Sequence, residues 1–235
     1  MLKVSRKPDG RPEIFASIQG EGVSMGRPSV FLRLALCNLR CSWCDTKYTW
    51  DWQRYDYASE VMELSVDEVE REVELLAPKN LVITGGEPTM QQKALIPLLQ
   101  ALRPKGYCTE IETNGTIAPM AEMLLLIGQW NVSPKLNNSG NSAAKREIAP
   151  ALEAFRDLDT AYFKFVVAGP EDIPEVQELI SKYRIPCHRV LLMPEATTKA
   201  KLNEMNQWLT QVCIEEGFRF STRLHILLWG DKRGA

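Results

Sequence analysis

The sequence lacks the features of membrane, secreted and nucleic-acid-binding proteins. It contains no apolar run close to the roughly 20 residues that span a bilayer. The charged first residues are not followed by the apolar stretch of a signal peptide. A formal net charge of −2 gives no overall attraction to nucleic acid or anionic lipid. We therefore expect a cytoplasmic protein with neither a membrane partner nor a nucleic-acid partner.

Length and composition favour one domain. The chain has 235 residues, of which 45% are hydrophobic and 25% are charged, an ordinary balance for a globular protein. A chain of this length can bury a sufficient core without disulfides or a structural metal. Because the sequence also contains no repeat, low-complexity tract or linker, we predict a single domain over residues 1–235.

Predicted strands and helices alternate along the chain. Apolar segments predict strands at 29–36, 80–84, 107–113, 130–133, 161–167, 188–192 and 218–228. The predicted helices begin with one after the capping box at 65–68 and continue at 91–102, 119–127, 145–156, 172–183 and 198–216. The polar and aromatic residues 45–60 predict a long loop. This alternation is typical of an α/β fold with a mostly parallel sheet.

Three of the six cysteines, Cys37, Cys41 and Cys44, lie within eight residues. Because the cytosol keeps thiols reduced, this grouping indicates metal or redox chemistry rather than disulfides. Thiolates are soft ligands that suit iron–sulfur clusters and zinc. Two alternatives stay open: a zinc site completed by a distant cysteine, and cysteines that only pack in the core. The other three cysteines, which we interpret as core thiols, are Cys108, Cys187 and Cys213.

Polar motifs follow the predicted strands at their carboxyl ends. The cysteines follow the strand at 29–36, and later strands are followed by GGEP (85–88), ETNG (112–115), SPK (133–135) and MPEA (193–196). Glycines such as those of GGEP permit a close approach of another backbone. Each motif on its own is also compatible with a simple turn. Since active sites of parallel α/β folds form at this end of the sheet, we predict that the motifs meet there.

The spacing C-x-x-x-C-x-x-C, together with GGEP, resembles the radical S-adenosylmethionine (SAM) superfamily. The resemblance implies one [4Fe–4S] cluster bound by Cys37, Cys41 and Cys44, with SAM chelating the iron that has no cysteine ligand. In this superfamily a radical derived from SAM performs the difficult chemistry, so we assign no side chain a catalytic role. The residues assigned to SAM binding are Trp43, Cys44, Asp45, Gly86, Glu87, Glu112, Asn114, Ser133, Pro134, Lys135, Met193, Pro194, Glu195 and Ala196.

Further matching segments span nearly the whole chain and narrow the resemblance. EIFASIQGEG (13–22), GRPSVFLR (26–33), CDT (44–46), Trp50 and the segment 224–234 are similar to the 7-carboxy-7-deazaguanine synthase family. That resemblance implies a lyase that converts 6-carboxy-5,6,7,8-tetrahydropterin to 7-carboxy-7-deazaguanine with release of ammonia, in the biosynthesis of the queuosine precursor.

The resemblance also implies a substrate site and a Mg²⁺ ion. Arg33 offers a planar fork to the carboxylate of the pterin. The hydrogen-bonding partners expected around the pterin are Ile18, Gln19, Gly20, Glu21, Thr84 and His225. Thr46 matches the protein ligand of Mg²⁺ in the family, with substrate oxygens completing the octahedral shell. The alternative for Thr46 is a helix N-cap or a turn residue.

We expect from the same resemblance a partial (β/α) barrel of the radical SAM type with shortened helices. An N-terminal segment would bind substrate, and a C-terminal tail would cover the site. A homodimer and an electron donor of the flavodoxin or ferredoxin type are also implied. The alternatives are another radical SAM enzyme, such as a glycyl-radical activating enzyme, and a non-catalytic iron–sulfur or zinc module.

Overall fold

One ten-stranded sheet organises the computed structural model, which describes residues 1–234. Ala235, the last residue of the predicted domain and tail, lies outside the described residues. The parallel part of the sheet contains, in spatial order, β3 (Pro28–Leu34), β5 (Asn80–Gly85), β6 (Cys108–Thr113), β7 (Gln129–Val132), β8 (Ala161–Val167), β9 (Val190–Pro194) and β10 (Arg219–Phe220). The predicted α/β class with a mostly parallel sheet is confirmed.

Three antiparallel strands extend the sheet beyond β3. They are β1 (Leu2–Ser5), β2 (Ile14–Ile18) and β4 (Val61–Leu64); β1 lies between β3 and β4, and β2 pairs with β3. None of the three was predicted, because segments as short as four or five residues with no preceding helix carry little periodic signal. Within residues 1–234 the strand order ends at β10 and at β4, so the sheet is open rather than closed.

Long helices cross between the parallel strands, and several others are short. The long helices are α2 (Val66–Glu74), α3 (Gln92–Leu102), α6 (Ala149–Arg156), α7 (Ile173–Tyr183) and α8 (Lys199–Glu216). The short ones are α1 (Tyr57–Glu60), α4 (Ala121–Leu124), α5 (Ala143–Arg146) and α9 (Leu224–Trp229). The helix predicted at 145–156 is split in two: α5 ends at Arg146, Ile148 is extended, and α6 begins at Ala149 with Pro150 in its first turn, where a proline is tolerated. None of the helices within residues 1–234 has both the length and the apolar character that crossing a bilayer requires.

The strand predicted at 218–228 is present only near its start, and its second half is wrong. Strand β10 covers only Arg219–Phe220. The last hydrogen bond to β9 runs from the Ser221 amide to the Leu192 carbonyl, and α9 begins at Leu224. A short continuous apolar run does not distinguish a strand from a helix, which explains the error. The loop predicted at 45–60 is interrupted by a 3₁₀ turn at Lys47–Thr49 and by α1.

The two faces of the sheet differ in polarity because successive side chains of a strand point to opposite sides. On β3, Leu32 and Leu34 belong to the hydrophobic core, whereas Phe31 and Arg33 line a cavity on the other face. The core between sheet and helices contains Trp130, Phe155, Phe163, Leu95, Leu179 and Leu209. The opposite face carries buried polar side chains, including Ser29, Glu110, Asn131 and Lys164. The apolar layer holds the sheet to its helices and leaves the polar layer for the site.

We predict that Ser65→Ala lowers the free energy of unfolding by about 1 kcal/mol. Ser65 Oγ accepts the Glu68 amide at 3.2 Å, and the Glu68 carboxylate accepts the Ser65 amide at 2.7 Å, so the substitution breaks the capping box of α2. Urea unfolding measures the change. Ser181→Ala, at an exposed position inside α7, is the control and is expected to be neutral. Equal stability of Ser65→Ala and the parent chain would contradict the capping role.

Candidate active site

A cavity of about 410 Å³ lies at the carboxyl ends of the parallel strands, where the motifs were predicted to meet. Most of the predicted site residues line it: Ile18, Gln19, Glu21, Arg33, Cys37, Cys41, Trp43, Cys44, Asp45, Thr46, Thr84, Gly86, Glu112, Asn114, Ser133, Lys135, Met193, Pro194, Glu195 and His225. Four predicted residues lie outside this lining, namely Gly20, Glu87, Pro134 and Ala196. The structure therefore brings the three cysteines and all predicted substrate residues except Gly20 into one cavity.

Each of the three clustered cysteines receives an N–H donor at its sulfur. The donors are the Leu39 amide to Cys37 (3.5 Å), the Asn141 side chain to Cys41 (3.3 Å) and the Trp50 indole to Cys44 (3.4 Å). Such bonds stabilise negative charge on sulfur and tune the reduction potential of an iron–sulfur cluster. The loop is thus arranged to hold thiolates rather than neutral thiols.

Burial works against the thiolate form of these cysteines. It raises the pKa of Cys37 to about 12 and also raises the pKa of Cys41. A thiolate in such surroundings requires a cationic partner, because burying an isolated charge is costly. An iron–sulfur cluster supplies that partner, so the donor set and its surroundings fit a cluster held by three cysteines.

Gly85 and Gly86 allow the cysteine loop to lie directly against β5. The Gly86 amide donates to Leu34 (2.9 Å), and a Cβ atom at Gly86 would overlap the carbonyl of Leu36. Gly85 has φ +119°, a conformation that side chains other than glycine rarely adopt. Leu36, the residue before Cys37, itself has φ +74° and is held by the Thr49 carbonyl, which accepts its amide at 2.7 Å. Close packing therefore sets where the cysteine loop begins.

Glu87, predicted to contact SAM, has a structural task within the protein. Its buried carboxylate accepts hydrogen bonds from the hydroxyls of Thr89 (2.6 Å) and Thr113 (2.7 Å) and from the amide of Asn114 (2.6 Å). Both oxygens are thereby engaged by the protein. Glu87 joins the end of β5 to the end of β6 and positions Asn114, which does line the cavity.

Lys164, which the sequence analysis did not assign, joins two acidic residues at the centre of the cavity. Its ammonium lies 2.5 Å from Glu21 and 3.1 Å from Glu112. Burial alone would raise the pKa of Glu21, but the Lys164 ammonium and the Arg223 guanidinium outweigh it and hold that pKa well below its usual range. Burial raises the pKa of Glu112 despite Lys164. The sequence did contain a signal for Lys164. It alternates with Phe163 and Phe165 on β8, so its side chain points to the face opposite these two core residues.

Arg223 is the second functional residue that sequence reasoning missed. Its guanidinium donates to Glu21 (3.1 Å), to the carbonyl of Ala196 (2.8 Å) and to Asp45. These acceptors come from the N-terminal segment, the segment after β9 and the cysteine loop. Ala196 therefore reaches the site through its backbone and Arg223, not as part of the lining. No local pattern in the sequence distinguishes Arg223 from an ordinary surface arginine.

Arg33 and Thr84 are neighbours in the sheet and face the cavity together. The parallel register of β3 and β5 pairs Arg33 with Thr84. The Nε atom of Arg33 donates to buried Glu13 at 2.7 Å, and the Tyr48 hydroxyl donates to the same carboxylate oxygen at 2.9 Å. Burial would lower the pKa of Arg33, but Tyr48 and Glu13 more than compensate and raise it, so the side chain stays cationic.

His225 reaches the cavity from α9 rather than from a strand. The Leu224 amide donates to the Gly20 carbonyl at 2.8 Å, and a Cβ atom at Gly20 would overlap the His225 imidazole. Gly20 thus provides room for the histidine instead of lining the cavity. Burial lowers the pKa of His225, which favours the neutral imidazole at neutral pH.

Other predicted residues line the mouth of the site. Lys135 donates to Ser133 (2.8 Å), and its ammonium lies 5.5 Å from the ring centre of Trp43. Thr46 precedes the 3₁₀ turn at Lys47–Thr49, but its hydroxyl does not cap that turn. The N-cap interpretation therefore fails for its side chain. The C-terminal tail, defined here as residues 231–234, lines the cavity as well.

Comparisons with known proteins agree with this geometry. The Radical SAM superfamily profile matches residues 34–197. The 7-carboxy-7-deazaguanine synthase of Pyrobaculum aerophilum is 40% identical over 224 residues, which cover 94% of this chain and 95% of that protein. The Escherichia coli protein of the same name is 29% identical, with 91% and 95% coverage. The crystal structure of QueE from Escherichia coli superposes with a TM-score of 0.70 at 26% identity and 95% coverage of both chains.

The chain belongs to the 7-carboxy-7-deazaguanine synthase family. It is therefore a member of the radical SAM superfamily, whose cofactors are a [4Fe–4S] cluster and SAM. The open, mostly parallel sheet with its shortened helices is the predicted partial (β/α) barrel.

The three cysteines outside the loop 37–44 lie away from the cavity and supply no further ligand beside the cluster cysteines. Cys108 and Cys187 are exposed, so their prediction as core thiols is wrong, whereas Cys213 is buried as predicted. Cys108 is the first residue of β6, and Cys187 lies in a surface turn, where neighbouring apolar residues do not imply burial. All three lie outside the cavity lining, which disfavours a zinc site completed by a distant cysteine.

Gly86→Ala is expected to destabilise the fold by about 1–3 kcal/mol and to lower cluster content, because the added methyl group displaces the backbone before Cys37. Iron and sulfide analysis after anaerobic reconstitution measures the effect. Gly128→Ala is the matched control, since its Cβ atom would lie 3.4 Å from the Thr109 carbonyl, an ordinary contact. Full cluster content in Gly86→Ala would refute the close-approach argument.

Lys164→Met is expected to cost about 3–5 kcal/mol at neutral pH, because buried Glu112 loses its cation and Glu21 keeps only Arg223. In the parent chain, Glu21 has a lower pKa in the folded state than in the unfolded state, so its ionised form stabilises the fold at every pH above the unfolded-state pKa. This stabilisation is lost as the pH falls through the folded-state pKa. In the variant the carboxylates take up protons, so the deficit should shrink from about pH 7.5 to about pH 5.

Urea unfolding at both pH values tests this dependence. Lys182→Met is the control, because Lys182 pairs with Glu147 at the surface, where loss of an ion pair costs at most about 1 kcal/mol. A pH-independent deficit in Lys164→Met would show that lost packing, not uncompensated charge, is responsible.

Proposed function

We propose that this chain converts 6-carboxy-5,6,7,8-tetrahydropterin to 7-carboxy-7-deazaguanine with release of ammonia, as a radical SAM lyase of queuosine-precursor biosynthesis. The observation that carries the proposal is that one cavity joins the three cysteines to Arg33, Glu21 and His225. The name shared by relatives that match over more than nine-tenths of the chain supports the same reaction.

Cys37, Cys41 and Cys44 would hold the cluster, leaving one iron for the amino and carboxyl groups of SAM. When bound, the reduced cluster and SAM supply a radical that removes a hydrogen atom from the substrate. The protein residues orient SAM and exclude water. The groups available for SAM on the cavity wall are Trp43, Asp45, Gly86, Glu112, Asn114, Ser133, Lys135, Met193, Pro194 and Glu195.

The pterin carboxylate would bind the terminal nitrogens of Arg33. Two features support this assignment: the Nε atom is already used by Glu13, and the side chain lines the cavity. Phe15 and Phe31 stack at a centroid distance of 5.3 Å beside Arg33 and offer an apolar surface to the ring. The edge of the pterin ring would form hydrogen bonds with the predicted residues Gln19, Glu21, Thr84 and His225, and Ile18 lines the cavity with them.

Thr46 would provide the protein ligand for Mg²⁺. Support comes from its hydroxyl, which lies in the cavity lining and does not cap the following turn; among residues 1–234, its one side-chain contact is with Cys44 Sγ, at 3.6 Å. One hydroxyl is a weak site, so bound substrate would contribute the other hard oxygen ligands. The ion would thereby orient the substrate beside SAM.

The domain and partners complete the proposal. We propose one domain with the N-terminal segment 13–22 at the substrate and the C-terminal tail over it, a homodimer, and a flavodoxin or ferredoxin as electron donor. The substrate is a free small molecule, which agrees with a net charge of −2 that offers nucleic acid no general attraction. A cytoplasmic location agrees with thiolate ligands, which need a reducing compartment. A glycyl-radical activating enzyme is disfavoured by the names of the relatives.

The deciding experiment is an anaerobic assay of the reconstituted protein with SAM, a strong reductant, Mg²⁺ and 6-carboxytetrahydropterin, with products resolved by mass spectrometry. We expect 7-carboxy-7-deazaguanine from the parent chain, none from Cys41→Ala, and parent-like yield from the control Cys108→Ala, whose thiol is exposed and outside the cavity. Deoxyadenosine without the deazaguanine would retain radical SAM chemistry and overturn the substrate. If protein with a full complement of cluster forms neither product, both the radical SAM chemistry and the substrate would be overturned.

A further inference from the structure

Arg233 attaches the C-terminal tail to the N-terminal part of the sheet. Its Nε atom donates to Glu13 Oε2 at 3.0 Å, one terminal nitrogen donates to Glu60 at 3.0 Å, and the other donates to the carbonyl of Arg6. The guanidinium also lies 3.4 Å from the ring centre of Tyr48. Each of the three nitrogens of Arg233 therefore donates to the protein, which fixes the guanidinium in place.

Glu13 is shared between Arg233 and a second arginine, Arg33. The Glu13 side chain is fully buried, and its Oε1 atom accepts from Arg33 at 2.7 Å and from the Tyr48 hydroxyl at 2.9 Å. Arg33 lies opposite Glu13 across the antiparallel β2–β3 pair, where the Arg33 amide donates to the Glu13 carbonyl at 3.1 Å. One buried carboxylate thus connects the tail to the cavity wall.

Each of the two arginines donates to a different carboxylate oxygen of Glu13. An arginine and a carboxylate that are free to do so form two parallel hydrogen bonds. Here Arg233 donates to Oε2, and Arg33 donates to Oε1 through Nε alone. Among residues 1–234, the terminal nitrogens of Arg33 have no hydrogen-bond acceptor, and the side chain lines the cavity. They are available for an anionic ligand there.

We propose that Arg233 is a positioning residue that keeps the terminal nitrogens of Arg33 directed to the carboxylate of the substrate by occupying the second oxygen of Glu13. The inference rests on the proposed function, which assigns that carboxylate to Arg33. Without Arg233, Glu13 pairs with Arg33 through both oxygens and competes with the substrate. The tail that covers the cavity is then also the element that prepares its anion site.

A thermodynamic cycle tests the mechanism. We expect Arg233→Gln to raise the Kd and KM for 6-carboxytetrahydropterin about 10- to 100-fold, the loss typical of a charge-assisted hydrogen bond. We expect kcat to change less than about threefold, because the reacting carbon lies away from the carboxylate contact. Binding of tetrahydropterin without the carboxyl group should be unaffected. In an Arg33→Gln background, Arg233→Gln should add no further loss.

Controls separate positioning from general damage. Arg54→Gln, at an exposed arginine paired with Asp51, should bind both pterins as the parent does. Arg233→Lys, which restores a cation at Glu13, should recover part of the affinity for the carboxylated pterin. Equal weakening of both pterins by Arg233→Gln, or losses that add to those of Arg33→Gln, would overturn the proposal and leave the tail as a simple wall.

A readout without pterin distinguishes this proposal from the proposed function. The ¹⁵N–¹H resonance of Arg33 Nε, assigned by its disappearance in Arg33→Gln, should shift in Arg233→Gln and remain in place in Arg54→Gln. A parent chain that binds neither pterin, with that shift present, would reject the substrate and support the positioning role. Turnover of the pterin with no shift in Arg233→Gln would reject the positioning role and support the substrate.

Discussion

The location of the cysteine loop depends on one backbone contact, between Gly85–Gly86 and the chain at Leu34–Leu36. Parallel pairing of β3 with β5 brings these backbones together, and the two glycines let them touch. From there Glu87 extends the connection to the end of β6 through Thr113 and Asn114. Cluster ligands and the predicted SAM contacts are therefore placed by the sheet itself, not by flexible side chains.

Buried charge organises the space that remains. Two cations, Lys164 and Arg223, are surrounded by three carboxylates, those of Glu21, Glu112 and Asp45. Such groups are costly to bury, and removing one leaves its partners uncompensated. Because these side chains are paired with each other, they define the shape and polarity of the cavity. The hydrogen-bonding groups left for ligands are few, and Arg33 is the clearest of them.

The fold class and most of the cavity lining were predictable because the relevant signals are local. Parallel strands bring their carboxyl ends to one edge, so motifs such as 85–88 and 133–135 identify the site without knowledge of contacts. Lys164 and Arg223 were missed because their roles come from partners 143 and 202 residues away in sequence. The last predicted strand became α9 because six apolar-rich residues fit either structure, and tertiary contacts decided.

The two arginine contacts of the C-terminal region also determine the order in which the site can assemble. Apart from the nearby carbonyl of Ala196, the acceptors of Arg223 and Arg233 lie 173 to 227 residues earlier in the chain. Contacts of such separation carry a large loop-closure cost and form late in folding. A ribosome delivers the chain from its N-terminus, so the cysteine loop and the strands are synthesised before residues 223–234, several of which line the same cavity. Until Arg223 and Arg233 reach these acceptors, the part of the cavity wall that they carry is missing, and the three thiols are correspondingly more open to solvent.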